Sequence, residues 1–237
     1  MLPGVASRVD KPARVSCGHT RVVPSLLLVV VIAVATVLGW WWLAGTLAEP
    51  DNDDPGDPKV PYRDLATWAH ASVVLGVSTI AAVVLVVFAA PVTWPVWVVL
   101  STFGVVLAGI DGFTTWIPRV VSWASWAALA VAIIVMFVWG GPWWGAVAGG
   151  TVAGILFAAM WLFTRGGIGF GDVRYIPLVG AAAMSSGMAV FVATMLVGSL
   201  LVAAHSVLVK MVRRGPGLVP WAPGYLAGAL VALVWQA

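Results

Sequence analysis

The stretch Gly167-Ile168-Gly169-Phe170-Gly171-Asp172-Val173-Arg174 places an acid between two long apolar runs. A carboxylate at the edge of hydrocarbon is costly to keep, so an acid in that position is a functional-site candidate before anything else is known. One other acid is set the same way: Asp111 in Ala108-Gly109-Ile110-Asp111-Gly112. Six of the remaining acids crowd into one segment, as Glu49, Asp51, Asp53, Asp54, Asp57 and Asp64.

The surroundings of the two isolated acids decide the fold class. Of 237 residues, 62% are hydrophobic and 9% charged, with a mean hydropathy of +1.03, which is the composition of a membrane protein and not of a soluble domain. Apolar runs of about 20 residues cross a bilayer as helices, and somewhat shorter ones do so when interfacial aromatics flank them. Eight such runs occur, at 24–47, 68–90, 95–110, 119–140, 143–163, 173–187, 189–209 and 219–236. The expected fold is therefore all-α, a polytopic transmembrane helix bundle of about eight spans. It divides into a polar tail (1–23), two N-terminal spans joined by an acidic, proline-rich linker (24–94, with the linker at 48–67) and a six-span core (95–236). The linker composition cannot build a packed core and reads as solvated. Pro177 is expected to kink the sixth span. In the fifth, Gly145, Gly149, Gly150 and Gly154 recur on shared faces, a pattern that lets a neighbouring helix approach closely.

The net charge of +3 is small and its basic residues lie between apolar runs, so nucleic acid is not an expected partner. Cys17 stands alone in the tail, and His70 and His205 sit in apolar helices without a second ligand, so no metal site is expected. The tryptophans, among them Trp40 to Trp42 and the pair Trp143 and Trp144, are expected to anchor span ends at the interface. With eight spans, one membrane side holds Lys59, Arg63, Arg119, Arg165, Arg174, Lys210, Arg213 and Arg214; the other holds Arg8, Lys11, Arg14 and Arg21. The excess of basic residues predicts that the first side is cytoplasmic, which places Asp111 and Asp172 there and the tail outside.

Each aspartate has two readings. Asp172 directly precedes the sixth apolar run and would serve as a helix N-cap, while Asp111 would serve as an ordinary interfacial residue. Alternatively the two act together. Spans four and five form a hairpin that leaves and returns to one face, so the ends carrying Asp111 and Asp172 lie at equal depth. Two carboxyls sharing a site hold one proton between them, leaving one to take a proton from water while the other hydrogen-bonds a scissile carbonyl. Glycines at 167, 169 and 171 would clear space for a substrate backbone.

Three motifs in order resemble the type IV prepilin leader peptidases and the related archaeal preflagellin peptidases. Gly169-Phe170-Gly171-Asp172-Val173-Arg174 is similar to their Gly-x-Gly-Asp motif, with Arg174 where Lys is usual. Asp111-Gly112-Phe113-Thr114-Thr115-Trp116-Ile117-Pro118 matches the spacing from the first aspartate to an Ile-Pro pair that opens the next helix, with Arg119 where Asn is usual. Val219-Pro220-Trp221-Ala222-Pro223 resembles the Pro-x-x-Pro start of the family's last helix. The resemblance covers residues 95–236. It implies a GxGD-type aspartyl endopeptidase that removes short basic leaders from prepilin-like proteins at the cytoplasmic membrane face. Asp111 and Asp172 would be catalytic, and Gly169, Gly171, Arg174 and Pro118 would form the motif and substrate approach. The family's cytoplasmic domain with two Cys-x-x-Cys pairs has no counterpart here, so cleavage without N-methylation is implied. No cofactor is needed. Partners would be prepilin-like substrates, membrane lipids, and components of a pilus or secretion assembly in the inner (cytoplasmic) membrane. Two other classes compete: a small proton- or cation-coupled transporter subunit using the acids as ion sites, and a catalytically silent scaffold of a pilus or secretion assembly.

Overall fold

Long apolar runs broken by Pro, Gly and short polar turns leave a chain in hydrocarbon one economical solution, the helix, because every backbone amide must find its partner locally. In the computed structural model, described over residues 22–48, 60–165, 168–213 and 219–236, the chain follows that rule. Its elements are α1 (Val22–Thr46), a 3₁₀ turn (Tyr62–Leu65), α2 (Trp68–Phe88), α3 (Trp94–Val99), α4 (Val105–Thr114), α5 (Arg119–Val138), α6 (Trp143–Phe163), α7 (Phe170–Ser185), α8 (Met188–Arg213) and α9 (Ala222–Trp235). A π-helical turn, Leu100–Gly104, joins α3 to α4, so that 91–114 forms one rod. No strand occurs among the described residues.

Six of these rods are long and apolar enough to cross a membrane: α1, α2, the α3–α4 rod, α5, α6 and α8. Large apolar side chains such as Leu27, Val87, Phe163 and Leu200 point outward, as expected of surfaces that face lipid. The protein is thus a polytopic helical membrane protein. The remaining two helices, α7 with 16 residues and α9 with 14, are shorter. Both reach the core, with Val179, Ala181 and Ala182 of α7 and Ala229 of α9 wholly buried.

Small residues explain the tightest contact. Where α6 meets α7, a side chain on Gly149 would strike the Gly180 carbonyl, one on Gly150 would lie 3.1 Å from the Pro177 carbonyl oxygen, and one on Gly154 would lie 3.2 Å from the Pro177 ring. The glycine face of α6 is a packing face, and it accommodates the proline through which α7 runs. Where α9 meets α8, a side chain on Gly228 would lie 2.6 Å from the Gly198 backbone nitrogen.

Several expectations need correction. The third span begins at Pro91 and extends to Thr114, so Asp111 lies inside its last turn. The sixth helix starts at Phe170, not 173, because Gly169 adopts an extended conformation at the N-cap and releases the chain into helix immediately afterwards. Trp40 is not an interfacial anchor: it is buried and donates from Nε1 to the Leu65 carbonyl at 3.1 Å. The end of the linker is not solvated either, since Tyr62 and Leu65 enter the core beneath that tryptophan. The remainder of the linker, the tail with Cys17, His19 and its basic residues, Gly167 and Arg214 lie outside the described residues.

Candidate active site at one end of the bundle

The α5–α6 hairpin returns the chain to the end from which α4 departed, and three contacts register the elements there. An added side chain on Gly171 would meet Ile117 Cβ at 2.9 Å, so the first turn of α7 lies against the Ile117-Pro118 turn that opens α5. Trp126 of α5 donates from Nε1 to the Arg174 carbonyl of α7 at 2.8 Å. Asp111 Oδ2 accepts the Ala222 amide of α9 at 3.0 Å, with the Trp221 amide alongside. Four helix ends therefore converge on one buried spot.

Both aspartates occupy it. Asp111 is 4% exposed and Asp172 8% exposed, and each is close enough for the charge of Asp111 to act on Asp172. Their environments differ. Asp111 sits at the N-terminus of α9, where free backbone amides and the positive end of the helix dipole favour a negative charge. Asp172 is the third residue of α7, and the N-cap position belongs to Gly169 with no side-chain cap. The N-cap role is thereby removed. Its Oδ1 is buried without a hydrogen-bond partner among the described residues, and its Oδ2 faces the α-carbon of Gly169, where a side chain would come within 3.1 Å.

The remaining expected residues divide between placement and support. Gly169 and Gly171 are needed for close approach, but the groups they admit belong to the chain itself, Asp172 and Ile117. Pro118 caps α5, and its carbonyl accepts the Ser122 amide at 3.1 Å and the Ser122 hydroxyl at 3.0 Å. Arg174 folds back over its own helix, with Nε donating to the Phe170 carbonyl at 3.4 Å and the guanidinium 5.5 Å from the Phe170 ring centre. It lies in the field of Arg119, and no acid among the described residues pairs with it.

Other residues of the site carry no sequence signal. Thr115, directly after α4, adopts a left-handed conformation (φ 55°, ψ 22°), unusual for a β-branched residue, and its amide returns to the Asp111 carbonyl at 2.7 Å. Thr114 braces this turn through the Ile110 carbonyl at 2.7 Å. Phe157 of α6 meets Trp221 and Tyr225 edge-on, at centroid distances of 6.1 and 5.2 Å, and so holds the start of α9 beside Asp111. Alongside the site, an apolar groove of about 370 Å³ runs between α2, α4 and α9 and reaches Gly112 and Pro223, which flank Asp111 and its partner Ala222. Comparison with protein-family models, with curated proteins and with solved structures found no match to this chain.

Proposed function

We propose that this chain is a membrane aspartyl endopeptidase that removes the short leader of type IV prepilin-like proteins at the cytoplasmic membrane face, without an N-methyltransferase activity. The observation that carries this reading is the unequal treatment of two buried acids at one end of the bundle: Asp111 is supplied with backbone donors, and Asp172 has an oxygen with none. Donors suit the charged form and a lack of them suits the neutral form. Ionised Asp111 then takes a proton from water as its oxygen attacks the carbonyl carbon of the scissile bond. Neutral Asp172 hydrogen-bonds the carbonyl oxygen and transfers its proton there. When the tetrahedral intermediate collapses, the carbon–nitrogen bond breaks, the leaving nitrogen takes the proton held by Asp111, and one hydroxyl of the intermediate returns its proton to Asp172 as the carbonyl reforms, which restores both acids. The groove along α2, α4 and α9 suits the apolar helix that follows the cut, because a helix lying in it ends beside Asp111.

The test follows the leader itself. Co-expression with a prepilin bearing a short basic leader and a glycine before the cut should give the smaller, processed form, read as a mobility shift. A transporter or a scaffold leaves that substrate at full length. The orientation is checked in a Cys17→Ser background carrying Thr164→Cys: a membrane-impermeant thiol reagent applied outside the cell should leave it unlabelled, and strong labelling inverts the topology.

A further inference from the structure

Tyr175 lies one helical turn beyond Asp172, so their side chains leave the same face of α7. That face points inward: Tyr175 is 1% exposed, among the largest fully enclosed side chains of the protein. Its hydroxyl has no hydrogen-bond partner among the described residues. A buried phenol normally finds one, because an unpaired polar group away from water is destabilising. Here the hydroxyl lies in the field of both carboxyls, Asp111 from α4 and Asp172 from its own helix. From α9, Tyr225 also lies in the field of Asp172, but its hydroxyl is engaged with Ser199 at 2.8 Å. Tyr175 is therefore the free donor of the cluster, and Asp172 Oδ1 is the free carboxyl oxygen.

We propose that Tyr175 is a third catalytic group of this site, its hydroxyl donating a hydrogen bond to the reacting oxygen that Asp172 faces. That oxygen is the scissile carbonyl oxygen in the bound substrate and the tetrahedral oxygen after water attacks. A donor held in place before the reaction, in a buried site, stabilises charge as it develops and undergoes no reorganisation when it does. No proton leaves the phenol in this step. It supplies only the hydrogen bond, while Asp111 carries a proton from water to the leaving nitrogen and Asp172 lends one to the carbonyl oxygen.

This inference rests on the peptidase reading. Tyr175→Phe removes the hydroxyl and keeps the ring that packs the core, so purified protein and purified prepilin allow kcat and KM to be measured separately. The expected result is a fall in kcat of about 10²-fold, the scale of a lost transition-state donor, with KM, membrane level and thermal midpoint at parental values. Parental kcat in the folded variant overturns the proposal and leaves the peptidase reading standing. A variant that fails to reach the membrane, or in which the thermal midpoint falls along with activity, also overturns it, because the hydroxyl is then a structural element. A parental protein that releases no leader, under conditions where a known prepilin peptidase does so, removes the peptidase reading and this inference with it.

Discussion

The two ends of the bundle handle polar groups in opposite ways. At the end where α7 turns into α8, Trp97 Nε1 donates to the Ser186 hydroxyl at 2.9 Å, Gln236 donates to the Ser186 carbonyl at 3.4 Å, and the hydroxyls of Ser185 and Thr93 donate to the Ala182 and Ala90 carbonyls at 2.7 and 2.8 Å. Every one of these groups is matched. At the other end Asp111 is held by α9, yet Asp172 Oδ1 and the Tyr175 hydroxyl, both buried, are matched by nothing among the described residues. An unpaired buried polar atom costs about 1–3 kcal/mol, more when charged. Ser101 and Thr194 also bury unpaired hydroxyls, but each stands alone in its helix, whereas Asp172 and Tyr175 share one turn. A sequence able to close a polar knot at one end leaves the other open: the closed end holds helices together, and the open end buries a carboxyl oxygen and a phenol hydroxyl with no partner among the described residues.

That contrast can be broken at three strengths. Asp111→Asn and Asp172→Asn keep size and much of the hydrogen bonding but remove proton exchange, so each should lower leader release by at least about 10³-fold, with membrane level unchanged. Parental processing of the co-expressed prepilin by both variants would end the protease reading. Gly171→Ala acts on placement alone: its new carbon meets Ile117 Cβ at 2.9 Å and must displace the first turn of α7. A displacement of that kind costs about 1–2 kcal/mol, which reads as a roughly tenfold slower cleavage. Adding Ile117→Gly removes the atoms that it meets and should recover part of the loss, and a double variant no better than the single would show that the Ile117 contact is not the cause. The smallest effect belongs to the closed end. Trp97→Phe removes one hydrogen bond to Ser186 and should lower stability by about 1 kcal/mol in a thermal scan while leaving cleavage untouched. A loss of cleavage there would mean that the two ends are coupled.

Much of the architecture is legible without coordinates because hydropathy and small-residue spacing are local signals. The rods fall near the apolar runs, and the glycine face of α6 announces a close neighbour without naming α7. The equal depth of the two aspartates follows from counting spans across the α5–α6 hairpin. What escapes is whatever depends on a partner distant in sequence. Nothing around Trp40 distinguishes a buried tryptophan bonded to Leu65 from an interfacial anchor. The left-handed Thr115 and the π-turn at Leu100–Gly104 violate local preference, so no preference predicts them. The latter is braced from α2 by Ser78, which reaches the Ser101 carbonyl at 3.2 Å. Tyr175 looks like one more core aromatic until its neighbours are known.

The shortness of α7 and α9 has a consequence for the bilayer. At about 1.5 Å per residue they extend roughly 24 and 21 Å, less than the approximately 30 Å of hydrocarbon that a membrane offers. Their far ends meet at the closed knot, through Gln236 and Ser186, so the whole shortfall falls at the end where Asp172 begins one helix and Asp111 receives the other. Lipid cannot fill that step with acyl chains without burying helix amides in oil. Headgroups would instead sink inward at that end, and the bilayer would be thinnest over the two acids.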